Sequence, residues 1–217
     1  MAQHSSSNID ARSFLRAVTT EHQGRFLVRF PDGYRSDTSR HWPLLLFLHG
    51  AGERGRDVKL VRRHGPLSAD APGYIPAVVI APQCEPEAWW DAAALEALVD
   101  TCLERYRVDE ARLAVTGISM GGTATWELAT RSPERWSAAA PICGRADPLR
   151  AAALKDLPVW AFHGAQDAVI PLEQSRTMVE AIRSVGGTAK LTVDPNAAHE
   201  VWPAVYRDSE IYDWLLK

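Results

Sequence analysis

Residues 112–122 read RLAVTGISMGG, a β-branched strand that runs into Gly117-Ile118-Ser119-Met120-Gly121. A serine flanked at two residues on each side by glycine, at the point where a strand turns into a helix, can be lifted clear of the backbone and offered as a nucleophile. The turn forces that serine towards a strained backbone and brings the flanking positions almost into contact. Both are glycine, the residue that tolerates such crowding.

A serine hydroxyl is a weak nucleophile near neutral pH and needs a base within hydrogen-bond reach, with a carboxylate to orient the base. Behind an elbow of this type the acid and then the histidine follow the serine along the chain. His199 is the only histidine after the last expected strand, in a polar loop reading DPNAAHE, and is the expected base. Asp167 follows the strand at 159–163 and is the expected acid. Asp194 lies too near its own strand to compete, and Asp208 falls inside the expected last helix. The oxyanion of a tetrahedral intermediate needs amide donors. Met120 supplies one by position, and Ala51, with Gly52 as the alternative, supplies the other from the loop His49-Gly50-Ala51-Gly52.

That loop has a rival reading, because Gly50-Ala51-Gly52-Glu53-Arg54-Gly55 is a literal G-x-G-x-x-G after a strand and would make the protein a nucleotide-binding oxidoreductase. The fingerprint requires an acid at the end of the second strand to hold the ribose. Asp70 has the spacing but sits in a loop, and no small-residue helix follows the glycines. Trp89, Trp90 and Trp202 fall in loops that should border the serine and are candidates for an aromatic substrate wall, although large aromatics more often fill cores. Core is the expectation for Trp126, Trp136, Trp160 and Trp214.

These residues must be carried by a repeating strand and helix pattern. Strands are expected at 25–30, 44–49, 77–81, 112–116, 138–142, 159–163 and 190–193, with helices at 92–106, 121–130, 171–185 and 201–216. Several strands are continuous apolar runs, as in sheets covered on both faces. The expected fold class is α/β, a mostly parallel sheet with helices on both faces and functional loops at the strands' C-terminal ends. The segment between 142 and 159, CGRADPLRAAALKDLP in its interior, has room for a short helix and a turn, so no large cap domain is expected.

The 217 residues suit one domain, read as 13–217 behind a loose Ser-rich tail at 1–12. A net charge of −3 gives no reason to expect a nucleic acid or an anionic membrane as partner. The basic stretch Arg54, Arg56, Lys59, Arg62 and Arg63 reads as a solvated face. Cys84, Cys102 and Cys143 have neither disulfide nor zinc spacing and are expected to be buried thiols in a reducing compartment. The N-terminus lacks the apolar core of a signal peptide, which points to the cytoplasm. No metal or organic cofactor is expected, and the oligomeric state is not legible.

Taken in order, PLLLFLHGAGERG, AVVIAPQC with Trp89-Trp90, VDEARLAVTGISMGG, PVWAFHGAQDAVIP and HEVWPAVYRDSEIYDWLL resemble the small serine carboxylesterases of the α/β-hydrolase superfamily. The similarity reaches the phospholipase/carboxylesterase, predicted-peptidase and polyhydroxybutyrate-depolymerase-like esterase groups. It implies an α/β-hydrolase fold and cleavage of small-molecule esters through an acyl-serine, with Ser119, Asp167 and His199 as the triad. A peptidase or thioesterase would use the same residues, and a silent binding protein could share the fold. Two features depart from such relatives: Cys143-Gly144 continues as Arg145-Ala146, and Asn196-Ala197-Ala198 stands where glycines are common. Dienelactone hydrolases, another similar group, use a cysteine nucleophile, and Ser119 argues against their activity.

Overall fold

The computed structural model describes residues 20–217, so the expected tail at 1–12 and the start of the domain at 13 lie outside the described residues. Seven strands form one sheet: β1 (Arg25–Arg29), β2 (Trp42–Leu48), β3 (Val78–Gln83), β4 (Val108–Ile118), β5 (Ala138–Ile142), β6 (Val159–Gly164) and β7 (Ala189–Asp194). Their order is β1-β3-β2-β4-β5-β6-β7. β1 is antiparallel to β3, and the remaining pairings are parallel. The elbow strand β4 sits in mid-sheet, between β2 and β5.

Period-two alternation divides each central strand between two cores. Leu44, Leu46 and Leu48 of β2 face a cluster that includes Leu95, Val99, Leu128, Met178 and Ile182. These come from α1 (Ala92–Arg105), α2 (Met120–Arg131) and α3 (Glu173–Ser184). Leu45 and Phe47 face the opposite cluster, with Val61, Trp202, Val205, Ile211 and Leu215. Strands covered on both sides can be apolar at every position, as β2 is.

The closing helix expected at 201–216 is two helices, α4 (Trp202–Arg207) and α5 (Glu210–Leu215). Asp208 breaks it: its backbone is extended, and its carboxylate accepts the Glu210 amide at 2.9 Å. Asp208 therefore lies between helices rather than within one. The elements otherwise begin and end within a few residues of expectation, with β4 extended at both ends.

The glycines after β2 lead into a 3₁₀ turn, Ala51–Glu53, and not into the crossover helix a dinucleotide site requires. Asp70 faces Arg207 at 3.8 Å on the surface. Two further 3₁₀ turns, Val58–Arg62 and Gly65–Leu67, carry the chain back to β3. Arg29 pins this segment by donating to the carbonyls of Pro66 and Pro72 at 3.0 and 3.1 Å. Gly65 has φ +74, and a Cβ there would come within 2.3 Å of the Phe47 ring. Between β5 and β6 the structure holds a 3₁₀ helix, Pro148–Leu154, and no inserted cap.

Candidate active site

Ser119 occupies the turn between β4 and α2 with φ 54° and ψ −113°, a conformation that L-residues rarely adopt. Its amide donates to the Ile142 carbonyl at 2.9 Å, tying the elbow to β5. A Cβ on Gly117 would lie 2.5 Å from the Gly121 carbonyl oxygen, and one on Gly121 would lie 2.0 Å from that of Leu48. Glycine at both positions lets the turn close against the end of β2.

Two loops from neighbouring strands meet Ser119. Asp167 follows β6 and His199 follows β7. The loops are zipped together: Ala165 N–H donates to the Asp194 carbonyl at 2.8 Å and Gln166 N–H to that of Ala197 at 3.0 Å. Gly164 permits the crossing, since a Cβ there would sit 2.1 Å from the Ala198 oxygen. Ser119 Oγ lies 2.8 Å from His199 Nε2, and His199 Nδ1 lies 2.7 Å from Asp167 Oδ2. Asp194 Oδ1 instead accepts the amides of Asn196 and Ala197 at 2.9 and 3.2 Å and shapes the histidine loop.

Burial alone would raise the pKa of Asp167, but hydrogen bonds from His199 and from the Ile170 and Val169 amides together outweigh it and hold the carboxyl below its ordinary range. Cys143 lies beneath the site with φ 41°, and burial pushes its thiol up to about 12. Cys143, Asp167 and His199 bring potential metal-ligand atoms within 4.8 Å of one another. The carboxylate and imidazole already satisfy each other, and a thiol of that pKa is a poor ligand without proton loss. All three cysteines are free and buried.

Ala51 opens the first 3₁₀ turn and Met120 opens α2, so neither amide has an acceptor four residues back in its own helix. The loop carrying Ala51 is braced from behind. His49 is fully buried, with Nδ1 2.6 Å from the Gly50 carbonyl and Nε2 accepting the Cys84 amide at 3.0 Å, and burial lowers its pKa to about 4. Trp90 donates from Nε1 to the His49 carbonyl at 3.2 Å and packs on the His49 ring. Trp202 is buried, edge-on to both His199 and His64. Trp89 is 68% exposed. Trp126, Trp136 and Trp160 are core, and Trp214 is half-buried against Trp160. Ser119 lines neither of two clefts of about 350 and 440 Å³. The larger one does include Trp89 and Trp90.

A mid-sheet serine on a strand-to-helix elbow, within reach of a histidine and carboxylate from later strands, defines an α/β-hydrolase. The chain belongs to the Dienelactone hydrolase family, which matches residues 86–203, just over half of it. The group set apart above by its cysteine nucleophile is thus the family that contains this chain, with serine at the elbow. A Salmonella typhimurium protein provisionally named a carboxymethylenebutenolidase is 32% identical over 100 residues, which is 42% of this chain and 37% of that protein. The chain spans about two fifths of the length of such relatives. A thermostable esterase is 31% identical and superposes over 88% of this chain and 58% of its own with a TM-score of 0.76. A phospholipase/carboxylesterase from Dyadobacter fermentans, 16% identical, shares the fold over 92% of this chain and 99% of its own, with a TM-score of 0.64. Among the described residues, no helix is long and apolar enough to cross a membrane.

Proposed function

We propose that the chain is a serine carboxylesterase working through an acyl-serine intermediate. Ser119 attacks the ester carbonyl, and His199 takes its proton at Nε2 and delivers it to the departing alcohol. Asp167 holds the imidazole with Nδ1–H towards the carboxylate, and the Ala51 and Met120 amides receive the oxyanion. The unbroken hydrogen-bond chain from Ser119 through His199 to Asp167 carries this reading, at 2.8 and 2.7 Å. Ser119→Ala should abolish ester turnover and fluorophosphonate labelling while leaving the fold intact. Labelling that survives in that variant would remove Ser119 from the role.

The lack of an inserted cap between β5 and β6 supports esters with a short or aromatic acyl group and a bulky alcohol. No cap supplies an apolar tunnel for a long chain, and the 51–73 segment is pinned by Arg29 rather than free to close. Rates on p-nitrophenyl esters from acetate to palmitate should peak at the short end, without a jump when substrate passes its solubility limit. A maximum at long chains with interfacial activation would require a lid.

A further inference from the structure

We propose that His163 is a positioning residue for Asp167, holding the carboxylate oxygen that faces His199. The inference rests on the reading of Asp167 as the triad's acid and adds a second imidazole to that acid.

His163 is the penultimate residue of β6, on the face that packs against α3, and it is fully buried. Its Nε2 lies 2.9 Å from the Ile170 carbonyl and 3.2 Å from Asp167 Oδ2. Both partners only accept, so Nε2 carries the hydrogen, which it donates to the Ile170 carbonyl while Asp167 Oδ2 stands beside it as a close polar contact. In the neutral ring Nδ1 is then an acceptor, and it faces the hydroxyl of buried Ser175 at 2.8 Å. Asp167 is enclosed by polar groups: Oδ1 takes the amides of Val169 and Ile170 at 2.8 and 2.9 Å, and Oδ2 takes His199 at 2.7 Å with the His163 ring nitrogen 3.2 Å away. Its side chain is fully buried, so these groups stand where water would otherwise be. A row of polar side chains thus runs from Ser175 through His163, Asp167 and His199 to Ser119, in which the His163–Asp167 step is a 3.2 Å contact and the others are hydrogen bonds.

An N–H fixed beside Oδ2 by the Ile170 carbonyl does two things. It stops the carboxylate from rotating away from His199, and it draws off part of the negative charge that would otherwise act on the imidazolium. The titratable groups packed against this carboxylate are His163, His199 and Cys143. The nearby charges of α3, Glu173 and Arg176, pair with each other at the surface. The Cys143 thiol, pushed up to about 12, does not ionise in the working range, so the effect is read through His199.

The test is steady-state kinetics on a p-nitrophenyl ester with the whole chain. His163→Phe keeps the ring's shape and removes the donor. It should lower kcat by roughly tenfold or more, the scale of one buried polar interaction with a charged group. KM should stay within about twofold because His163 touches no substrate. The acid limb of the rate profile should move to higher pH, because the carboxylate then favours the imidazolium more strongly. His163→Gln, which can place an N–H near the Nε2 position, should recover most of kcat. In an Asp167→Asn background, His163→Phe should add less than about twofold.

A folded His163→Phe with wild-type kcat and pH profile, beside a crippled Asp167→Asn, overturns the role of His163 and leaves Asp167 in place. Full activity in Asp167→Asn overturns the reading of the acid, and this proposal with it. Should His163→Phe fail to fold, nitrogen-15 histidine spectra of the wild type decide. An Nε2–H resonance at His163 that shifts in Asp167→Asn supports the proposal, and the Nδ1–H tautomer or an Nε2–H resonance unchanged by that substitution refutes it.

Discussion

Asp167 and Asp194 follow or end adjacent strands, and each accepts two backbone amides on Oδ1, yet Asp167 alone of the pair offers its second oxygen to His199. A carboxylate that shapes a turn and one that orients a base share a local sequence signature, so the distinction lies in which loop faces the serine. On the proposed mechanism, Asp167→Asn should reduce kcat by about 10³ to 10⁴, the scale of losing a triad's orienting carboxylate. Asp194→Asn and Asp208→Asn should cost far less, since those side chains accept only backbone amides in turns. Steady-state kinetics on the three variants checks this, and a comparable loss in either control would reassign the acid. His163 escaped the sequence reading although a signal existed. Alternation along β6 puts Val159, Ala161 and His163 on one buried face, and a polar residue in such a run needs a partner.

At the scale of elements, the elbow depends on contacts between backbones. β4, β2 and α2 converge at Gly117 and Gly121, where a Cβ would overlap main-chain atoms that cannot turn aside as a side chain might. Gly121→Ala should therefore destabilise the fold by about 2 kcal/mol or more, in the range of overpacked cores, and displace Ser119. A urea midpoint and a fluorophosphonate labelling rate both equal to wild type would show that the turn relaxes freely. The strands were legible because most are apolar runs bounded by turn residues. The break at Asp208 was not, because its apolar flanks keep helical spacing on both sides and the Asp208-Ser209 pair only becomes a cap once α5 docks against the sheet.

For the molecule as a whole, pH should act through His49 as well as through the triad. Its pKa is about 4 in the folded chain, against an ordinary value near 6.5. Between these values the unfolded chain binds one more proton than the native state. Stability should therefore fall as pH drops through this window, by about 1.4 kcal/mol per pH unit from this group, and its contribution should level off below about pH 4. Above about pH 6.5 the group adds no pH dependence. Urea midpoints from pH 8 to 4.5 should show that slope in the wild type and a flatter one in His49→Gln. Equal slopes would mean that the folded chain protonates His49 as readily as the unfolded one, with the Cys84 amide moved off Nε2.

Apolar periodicity, the spacing of the elbow glycines and the order serine, aspartate, histidine were enough to name the fold class and three candidate residues. Each depends on contacts within a few residues or on a short list of allowed topologies, and both are legible along a chain. What surrounds those residues depended on tertiary structure. The glycine fingerprint after β2 became a 3₁₀ turn, and Arg29, distant in sequence, together with the Phe47 ring holds the following segment against the sheet. Trp90 braces the His49 loop, Trp202 lies against the base and Trp89 faces solvent, although all three read alike as loop aromatics. Which atoms share a hydrogen bond across 32 or 80 residues of separation, as at Asp167 with His199 and His199 with Ser119, is decided where strands from different parts of the chain end side by side. Sequence spacing carries no record of that distance, and only the folded sheet sets it.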